Sequence, residues 1–234
     1  MSEGEDYDKS STMYSPEGRI IQVEYASEAV KKGAPALGMK TDKGAILAGV
    51  VKAQNKLLES HEKVFKIDDH IGVTSAGYMS DSRYLIDKAR NMAQSHRVTY
   101  NETIDVDVLT ERIGRLMQRL TVEGGTRPFG CSLIFGGVNE KSESEIVILD
   151  TSGAITKTKA SAVGANESKA MDLLKAGYKE DMSIEDMMKL AVSTLREISE
   201  ELEPEDIDIG IIDAETKIFR MASSEEMKKV WKKK

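Results

Sequence analysis

Apolar residues recur along the chain with two different periods, and the period predicts the secondary structure of each segment. Spacing of three and four residues predicts α-helices over 19–31, 79–98, 106–122, 167–178, 183–201 and 223–232. Shorter apolar or alternating runs bounded by turn residues predict β-strands over 34–41, 44–51, 63–67, 70–76, 131–136, 144–149, 154–158, 160–163, 206–212 and 216–221. The chain therefore combines strands that short turns join with helices that come mostly in pairs.

The order of these elements predicts the fold class. Strands, two helices, strands, two helices and strands again are typical of an α+β protein with two stacked antiparallel sheets and helices on both outer faces. Residues 1–13 are polar and aperiodic, which predicts a flexible arm, and turn residues at 14–18 separate it from the first helix. Because no repeat, proline-rich linker or change of composition interrupts residues 14–234, we expect one domain there.

The net charge and the apolar content exclude several classes of function. The chain has 234 residues and a formal net charge of -7, so its surface repels phosphate backbones and broad nucleic-acid binding is not expected. Its amino terminus lacks the apolar core of a signal peptide, and no apolar run approaches the roughly 20 residues of a membrane helix. With a single cysteine, Cys131, no internal disulfide can form. We therefore expect a cytoplasmic protein with no membrane partner.

Two short segments could bind a charged partner, and each has a simpler interpretation. Residues 135–142 partly match a phosphate-binding loop, but Phe135 and Glu140 occupy two of its glycine positions, which favours a polar hairpin turn. The lysines around Trp231, at 228–234, could contact a membrane surface or a nucleic acid. Because this cluster is short and the chain is acidic, a solvated helix end is the better interpretation.

The histidines and the cysteine do not form a recognisable metal or nucleophile motif. His61, His70 and His96 lack the tight spacing of metal ligands, and Cys131 is far from them in sequence. We predict no metal and no cofactor. A Cys/His nucleophile pair stays an alternative that no local pattern supports.

One motif near the amino terminus is far more specific than these. Residues 7–9 read Tyr-Asp-Lys, and residues 14–26 read Tyr-Ser-Pro-Glu-Gly-Arg-Ile-Ile-Gln-Val-Glu-Tyr-Ala. This segment closely resembles the signature of proteasome α-subunits of the archaeal type, and similar matches continue at 29–33, 36–38, 62–63, 67–68, 75–77, 81, 83 and 124–130. The resemblance implies the four-layer α/β/β/α sandwich of N-terminal-nucleophile hydrolases. The additional helix near 19–31 is the feature that marks the α-subunits.

The resemblance also implies that this chain does not cut peptide bonds. Catalytic relatives expose a threonine after a glycine, and its hydroxyl and α-amine act as nucleophile and base. Here Gly33 is followed by Ala34, which has no hydroxyl. The supporting carboxylate and the lysine of the relatives would fall near Val50 and, by a loose correspondence, near Glu59. We therefore expect a chain without a catalytic residue.

Three groups of residues acquire expected roles from the resemblance. The arm 1–13 would be a gate, held open by Tyr7, Asp8, Pro16 and Tyr25, with Lys9 in place of the family's arginine. Lys63, with Gly77 and Ile20, would form the pocket that captures the carboxyl terminus of an activator ATPase. Gly124, Gly125 and Thr126 would narrow the inner pore, although a glycine pair can also simply end a helix. On spacing alone, Lys63 could equally be an ordinary surface lysine.

The implied partners are neighbouring α-subunits in a seven-membered ring, β-subunits, activator ATPases and the unfolded chains that pass through. Three other functions stay open at this stage. The first is an active threonine protease of the same fold, which requires cleavage between Gly33 and Ala34. The second is a ring-forming or chaperone-like binding protein without β-subunits. The third is an unrelated nucleotide-binding enzyme that uses residues 135–142.

Overall fold

The computed structural model of this chain describes residues 12–51 and 62–231. Within these residues it contains six α-helices: α1 (Ile21–Lys31), α2 (Met79–Tyr100), α3 (Val106–Val122), α4 (Glu167–Gly177), α5 (Ile184–Ile198) and α6 (Ser224–Trp231). It also contains ten strands: β1 (Ala36–Thr41), β2 (Gly44–Val50), β3 (Val64–Asp68), β4 (Ile71–Gly77), β5 (Cys131–Val138), β6 (Ser144–Leu149), β7 (Ile155–Thr158), β8 (Ala160–Val163), β9 (Ile207–Asp213) and β10 (Phe219–Met221). The elements follow one another in the predicted order.

The strands form two antiparallel sheets of five strands each. The first sheet has the order β10-β9-β2-β1-β8, and the second has the order β3-β4-β5-β6-β7. In the first sheet Ala36 lies opposite Gly49 of β2 and Val163 of β8. In the second sheet Gly77 lies opposite Cys131 of β5. The sheets face each other, as β1 and β2 contact β5 across the interface.

Alternation along each strand sorts the apolar side chains into three layers, because successive side chains point to opposite faces. In β1, Leu37 and Met39 pack beneath α4, α5 and α6, whereas Ala36 faces the second sheet. In β5, Leu133 and Phe135 pack beneath α2 and α3, whereas Ile134 faces the first sheet. The result is a helix–sheet–sheet–helix sandwich, so the predicted fold class is confirmed.

The predicted elements are confirmed, but several of their ends differ. α1 begins at Ile21, because Ile20 is extended and serves as its N-cap. α5 ends at Ile198 instead of 201, because Ser199 takes an extended conformation. β10 begins at Phe219 instead of 216, because the Asp213 carboxylate accepts backbone N–H groups of Glu215 and Thr216 in a turn.

The two ends of the sandwich differ in composition, and we name them here. The α1 end consists of residues 33–36, 50–51, 77–78, 123–131 and 163–165, together with α1 itself, which contacts β4 and β5. The hairpin end consists of the turns at 42–43, 69–70, 139–143 and 213–217. Within the described ranges no helix has the length and the apolar character that crossing a bilayer requires.

Candidate functional site

The α1 end is built around close backbone contacts at two glycines. A Cβ atom on Gly33 would lie 2.3 Å from the backbone nitrogen of Gly77. A Cβ atom on Gly77, whose φ is 109°, would lie 2.1 Å from the carbonyl oxygen of Gly130. Only glycine allows three chain segments to meet at such distances. Gly77 therefore permits a close backbone approach, and the backbone segments that approach it belong to this chain.

The position where a threonine hydrolase presents its nucleophile is part of the folded chain here. The Gly33 N–H donates to the Val30 carbonyl at 2.8 Å, and the Gly33 carbonyl accepts from the Ala165 N–H at 2.9 Å. The next residue is Ala34, and Val50 lies in the apolar core under the helices. At these two positions the chain therefore offers neither a hydroxyl nor a carboxylate.

Lys63 lies at the same end, and it is not a surface residue. The side chain is 5% exposed, and its Cγ would lie 2.4 Å from a Cβ atom on Gly49, which is paired with Ala36 of β1. Burial lowers the pKa of Lys63 from 10.5 to about 8. Among the described residues no carboxylate forms an ion pair with it. The alternative of an ordinary surface lysine is therefore wrong.

This position of Lys63 also corrects part of the argument about catalysis. Glu59, which the resemblance placed at the position of the hydrolase lysine, lies outside the described residues. A buried lysine nevertheless lies beside β2, since Lys63 packs against Gly49. Ala34 and Val50 therefore distinguish this chain from its catalytic relatives, whereas the absence of a lysine does not.

Asp208 of β9 holds the backbone of Lys63 in place. Its carboxylate accepts the Lys63 N–H at 2.8 Å. Burial raises the pKa of Asp208, and the N–H groups of Lys63 and Val64 oppose that effect. The Lys63 carbonyl in turn accepts the Thr74 hydroxyl at 2.9 Å. Lys63 is thus fixed at its backbone, while its ammonium group is left without a compensating charge among the described residues.

A surface cavity of about 480 Å³ lies between α1 and the segment after α3. Tyr25 and Tyr78 line it with the segment 127–130, and both tyrosines are exposed. Pro16 lies in the exposed turn that precedes α1, where Gly18 takes a φ of 76°. Ile20 is half-buried at the N-cap of α1.

The structure places the predicted site residues that it describes at one end of the molecule. Pro16, Ile20 and Tyr25 belong to α1 or to the turn before it. Lys63 directly precedes β3, Gly77 ends β4, and residues 124–126 lie between α3 and β5, all at the α1 end. Thr74, whose hydroxyl contacts Lys63, is three strand residues from Gly77, or roughly 10 Å. The predicted gate residues Tyr7, Asp8 and Lys9 lie outside the described residues.

The predicted pore loop follows α3 and is not helical. α3 ends at Val122, and the Thr126 hydroxyl donates to the carbonyls of Leu120 and Glu123 at 3.0 and 2.7 Å. A Cβ atom on Gly124 or Gly125 would meet nothing within 4 Å. In the single chain this loop therefore projects into open space.

Sequence reasoning assigned no role to the ion pair that holds this loop. The Arg127 guanidinium donates two hydrogen bonds to the Asp81 carboxylate, at 2.6 and 2.8 Å, and the Gly130 N–H donates a third at 2.8 Å. These hydrogen bonds, chiefly those from Arg127, lower the pKa of Asp81. The pair joins residues 46 positions apart, and such a contact leaves no periodic signal in a sequence.

The other candidate segments have structural roles. Residues 135–142 form the end of β5 and a hairpin turn, in which the Asn139 carboxamide oxygen accepts the N–H groups of Lys141 and Glu143 at 3.0 and 2.9 Å. In the basic segment Lys229 pairs with Glu185 at 2.7 Å, and Trp231 packs against Arg196. A polar hairpin turn and a solvated helix end were the predicted interpretations.

The described histidines and the cysteine do not come together. The His70 imidazole is hydrogen-bonded to the Ile104 carbonyl at 2.8 Å, at the hairpin end. Cys131 is buried opposite Gly77, about 20 Å away along β4. Burial raises the pKa of the Cys131 thiol to about 12, so no thiolate forms near neutral pH. The described ranges contain no group of three or more His, Cys, Asp and Glu side chains that could hold a metal ion.

Comparison with known proteins agrees with this geometry. Residues 30–212 match the family model of the proteasome subunits, and residues 7–29 match the model of the N-terminal signature of proteasome subunits of type A. Among curated proteins, the chain is 44% identical over 225 residues to a "Proteasome subunit alpha" of Thermococcus sibiricus, covering 95% of this chain and 86% of the relative.

Two further relatives support the same family. The protein of the same description from Pyrococcus horikoshii is also 44% identical over 225 residues, covering 95% of this chain and 86% of the relative. That from Methanocaldococcus jannaschii is 39% identical over 229 residues, covering 97% and 87% of the two chains. With matches that include the amino-terminal signature and almost the whole chain, this protein belongs to the proteasome α-subunit family.

Proposed function

We propose that this chain, a non-catalytic α-ring subunit of the 20S proteasome core, gates substrate entry and docks the carboxyl termini of activator ATPases. One observation carries the proposal: Lys63 is a buried cation at the α1 end, without an ion-pair partner among the described residues. A buried charge without a counter-ion is costly, so an incoming carboxylate gains more there than at an exposed lysine. A terminal carboxylate would supply the missing charge.

Docking requires the ammonium group of Lys63 to meet a carboxylate that comes from the surface. The lysine side chain is a flexible four-carbon stem, so the ammonium group can turn while the backbone stays bound to Asp208. Gly77 and Ile20 lie at the same end and would form the rest of the pocket, together with a neighbouring subunit. Capture of a carboxyl terminus by a cation and nearby backbone groups is an established mode of peptide recognition.

The gate would be the arm 1–13, which leads directly into the turn before α1. That turn is closed by a hydrogen bond from the Ser15 N–H to the Arg19 carbonyl at 2.8 Å, so the arm would leave the body of the protein from a fixed point. Ordering an arm costs about 1–2 kcal/mol per residue in backbone entropy. An open gate therefore needs compensating contacts, for which Tyr7, Asp8, Pro16 and Tyr25 are our candidates. Lys9 keeps a positive charge but lacks the planar fork of arginine, so we expect a weaker open-state lock.

The partners in this proposal are those of an assembled 20S particle. α-Subunits of this family assemble with other α-subunits and with β-subunits in the 20S particle. We further propose a seven-membered ring, in which head-to-tail contacts close when the rotation per protomer is right. Activator ATPases would bind the outer face of this ring in the cytoplasm. Unfolded protein chains would pass through the inner pore, which the loops 124–126 of the protomers would border.

The substitution Lys63→Ala tests the docking site in the assembled particle. We expect it to abolish the stimulation of peptide hydrolysis by an activator ATPase, while rings still form, because the receptor for the carboxylate is removed. The rate should be measured with a fluorogenic peptide, with and without the ATPase, and ring formation by electron microscopy. Lys66→Ala is the matched control, since Lys66 lies three residues after Lys63, in β3, but is exposed and pairs with Asp69.

Undiminished stimulation of the Lys63→Ala particle would refute the docking role. The assembly proposal has a separate test, namely co-purification of this chain with a processed β-subunit that carries an amino-terminal threonine. Rings that never bind such a partner would favour a chaperone-like binding protein instead. A mature form that begins at Ala34 and cuts peptides by itself would favour the threonine protease.

A further inference from the structure

The loop after α3 is held at both of its ends and is free in the middle. On one side the Thr126 hydroxyl closes the end of α3 through Leu120 and Glu123. On the other side the bidentate pair of Arg127 with Asp81 ties the chain to the first turn of α2. Between these anchors Gly124 and Gly125 have no neighbour within 4 Å of an added Cβ atom. Their position therefore depends on the anchors alone.

Asp81 is placed to act as a rigid anchor. Its side chain is 9% exposed, and both of its oxygens are occupied, because one accepts Arg127 Nη2 and the other accepts Arg127 Nη1 and the Gly130 N–H. It lies in the first turn of α2, where the helix dipole favours a negative charge. Two parallel hydrogen bonds from a planar guanidinium fix both distance and direction, which a single charge pair does not do.

We infer that Asp81 and Arg127 are a positioning pair that fixes the loop 124–126 and thereby sets the width of the inner pore. The inference rests on the proposed function, because it needs this loop to border the pore. Arg127 acts through the backbone of its neighbours: it follows Thr126 directly, and its Nη1 also donates to the Pro128 carbonyl at 3.0 Å. Loss of the pair would release the carboxyl-terminal anchor and leave the glycines attached only through Thr126.

The test compares Asp81→Asn and Arg127→Gln with Arg127→Lys, which keeps the charge and loses the fork. Glu226→Gln is the matched control, because Glu226 and Arg220 form an equally bidentate pair at 2.8 and 2.9 Å that is remote from the loop. If Asp81→Asn does not fold, the Arg127 variants carry the test, Arg127→Lys above all, since the arginine side chain is 63% exposed and lysine keeps a positive charge beside Asp81.

The first measurement follows the loop itself. A nitroxide on a cysteine introduced at position 124 reports its motion, and the natural Cys131 stays unlabelled because it is buried. We expect the correlation time of the label to fall about threefold in Asp81→Asn and Arg127→Gln, less in Arg127→Lys, and not at all in Glu226→Gln. Unchanged label motion in both Arg127 variants would overturn the positioning role, independently of the peptide measurement that follows.

The second measurement follows passage through the assembled particle, without the label. The probe is one short peptide in two forms, linear and closed into a ring by a disulfide, which differ in width but not in sequence. Hydrolysis of each form inside the particle measures its passage. We expect the hydrolysis rate of the cyclic form, relative to that of the linear form, to rise at least about twofold in Asp81→Asn and Arg127→Gln, because a released loop can move aside for the wider chain. A more mobile label with an unchanged ratio would show that residues 124–126 do not border the pore, and would overturn that part of the proposed function together with this inference.

Discussion

At the hairpin end the turns at 139–143 and 213–217 satisfy several of their own backbone groups, whereas the α1 end depends more on contacts between segments that are distant in sequence. At the hairpin end the Asn139 carboxamide and the Asp213 carboxylate each accept two N–H groups from residues at most four positions away. At the α1 end Gly33, Gly77 and Gly130 meet backbone to backbone, and Asp81 reaches Arg127. A self-contained turn tolerates change in its surroundings, while a junction of distant segments does not.

The same contrast holds for charge. The α1 end contains a buried lysine without an ion-pair partner among the described residues, and exposed tyrosines line a separate cavity at the same end. At the hairpin end the charged side chains are mostly exposed and paired, as in Lys66 with Asp69 and Lys43 with Asp42. A buried charge without a partner costs stability and is typical of functional sites. The unpaired charge of Lys63 therefore favours the α1 end as the face that meets partners, which is the proposed function.

The largest expected effect is that of Gly77→Ala. The new Cβ atom would lie 2.1 Å from the Gly130 carbonyl oxygen at a φ of 109°, so we expect a loss of unfolding free energy of about 3 kcal/mol or more. Urea unfolding of the purified chain measures it. Gly125→Ala is the control, because Gly125 also has a positive φ but open space around it, and we expect a loss of about 1 kcal/mol there. Equal losses of unfolding free energy in the two variants would mean that the close contact between Gly77 and Gly130 adds no cost beyond that of the positive φ.

Lys63→Met should raise the free energy of unfolding, whereas Gly77→Ala should lower it. Burial lowers the pKa of Lys63 to about 8, so at pH 7 the folded chain holds a desolvated ammonium group, and its removal should raise stability by on the order of 2 kcal/mol. Between pH 8 and pH 10.5 the unfolded chain binds more protons than the folded one, so the stability of the natural chain should rise with pH. Urea titrations from pH 7 to pH 10 measure both effects.

The advantage of Lys63→Met should therefore shrink as the pH rises. Lys66→Met serves as the control, since Lys66 is half-exposed and paired with Asp69, and we expect almost no change from it. If Lys63→Met destabilised the chain at pH 7, Lys63 would have a stabilising partner in the folded state, and the basis for proposing it as a carboxylate receptor would be lost.

The smallest expected effect concerns Glu145, near the hairpin end. Burial raises the pKa of Glu145, and the neighbouring Asp107 carboxylate raises it further. The folded chain therefore binds more protons than the unfolded one just above the ordinary value of 4.5, and stability should fall as the pH rises through that range. Glu145→Gln should remove this loss and raise stability at pH 7 by less than about 1 kcal/mol.

Thermal unfolding at pH 4.5 and pH 7 measures the effect of Glu145→Gln, with the exposed Glu143→Gln as its control. A benefit that is equal at both pH values would exclude a protonation effect. A benefit larger than that of Lys63→Met at pH 7 would contradict the comparison of the two ends, because the greater electrostatic cost would then lie near the hairpin end.

Periodicity and turn residues determined the elements and their order from the sequence alone. Strand alternation such as that of Leu37 and Met39 against Ala36, and the spacing of Val106, Leu109 and Ile113, are local patterns that state which face is buried. The motif at 7–26 determined the family, because an ordered run of specific residues is improbable by chance. Element ends were less predictable, since Ser199 and Asp213 end or delay elements through conformations that propensity does not encode.

Only the tertiary structure decided how the site residues relate to one another. It placed Lys63 in the interior, where its spacing allowed a surface lysine, because burial depends on the packing of β2, β4 and β9 around it. It showed that Gly77 accommodates Gly130, and it joined Asp81 to Arg127 across 46 residues. A sequence records local preference, whereas the desolvation of a charge and the meeting of distant backbones arise only when the two sheets close on each other.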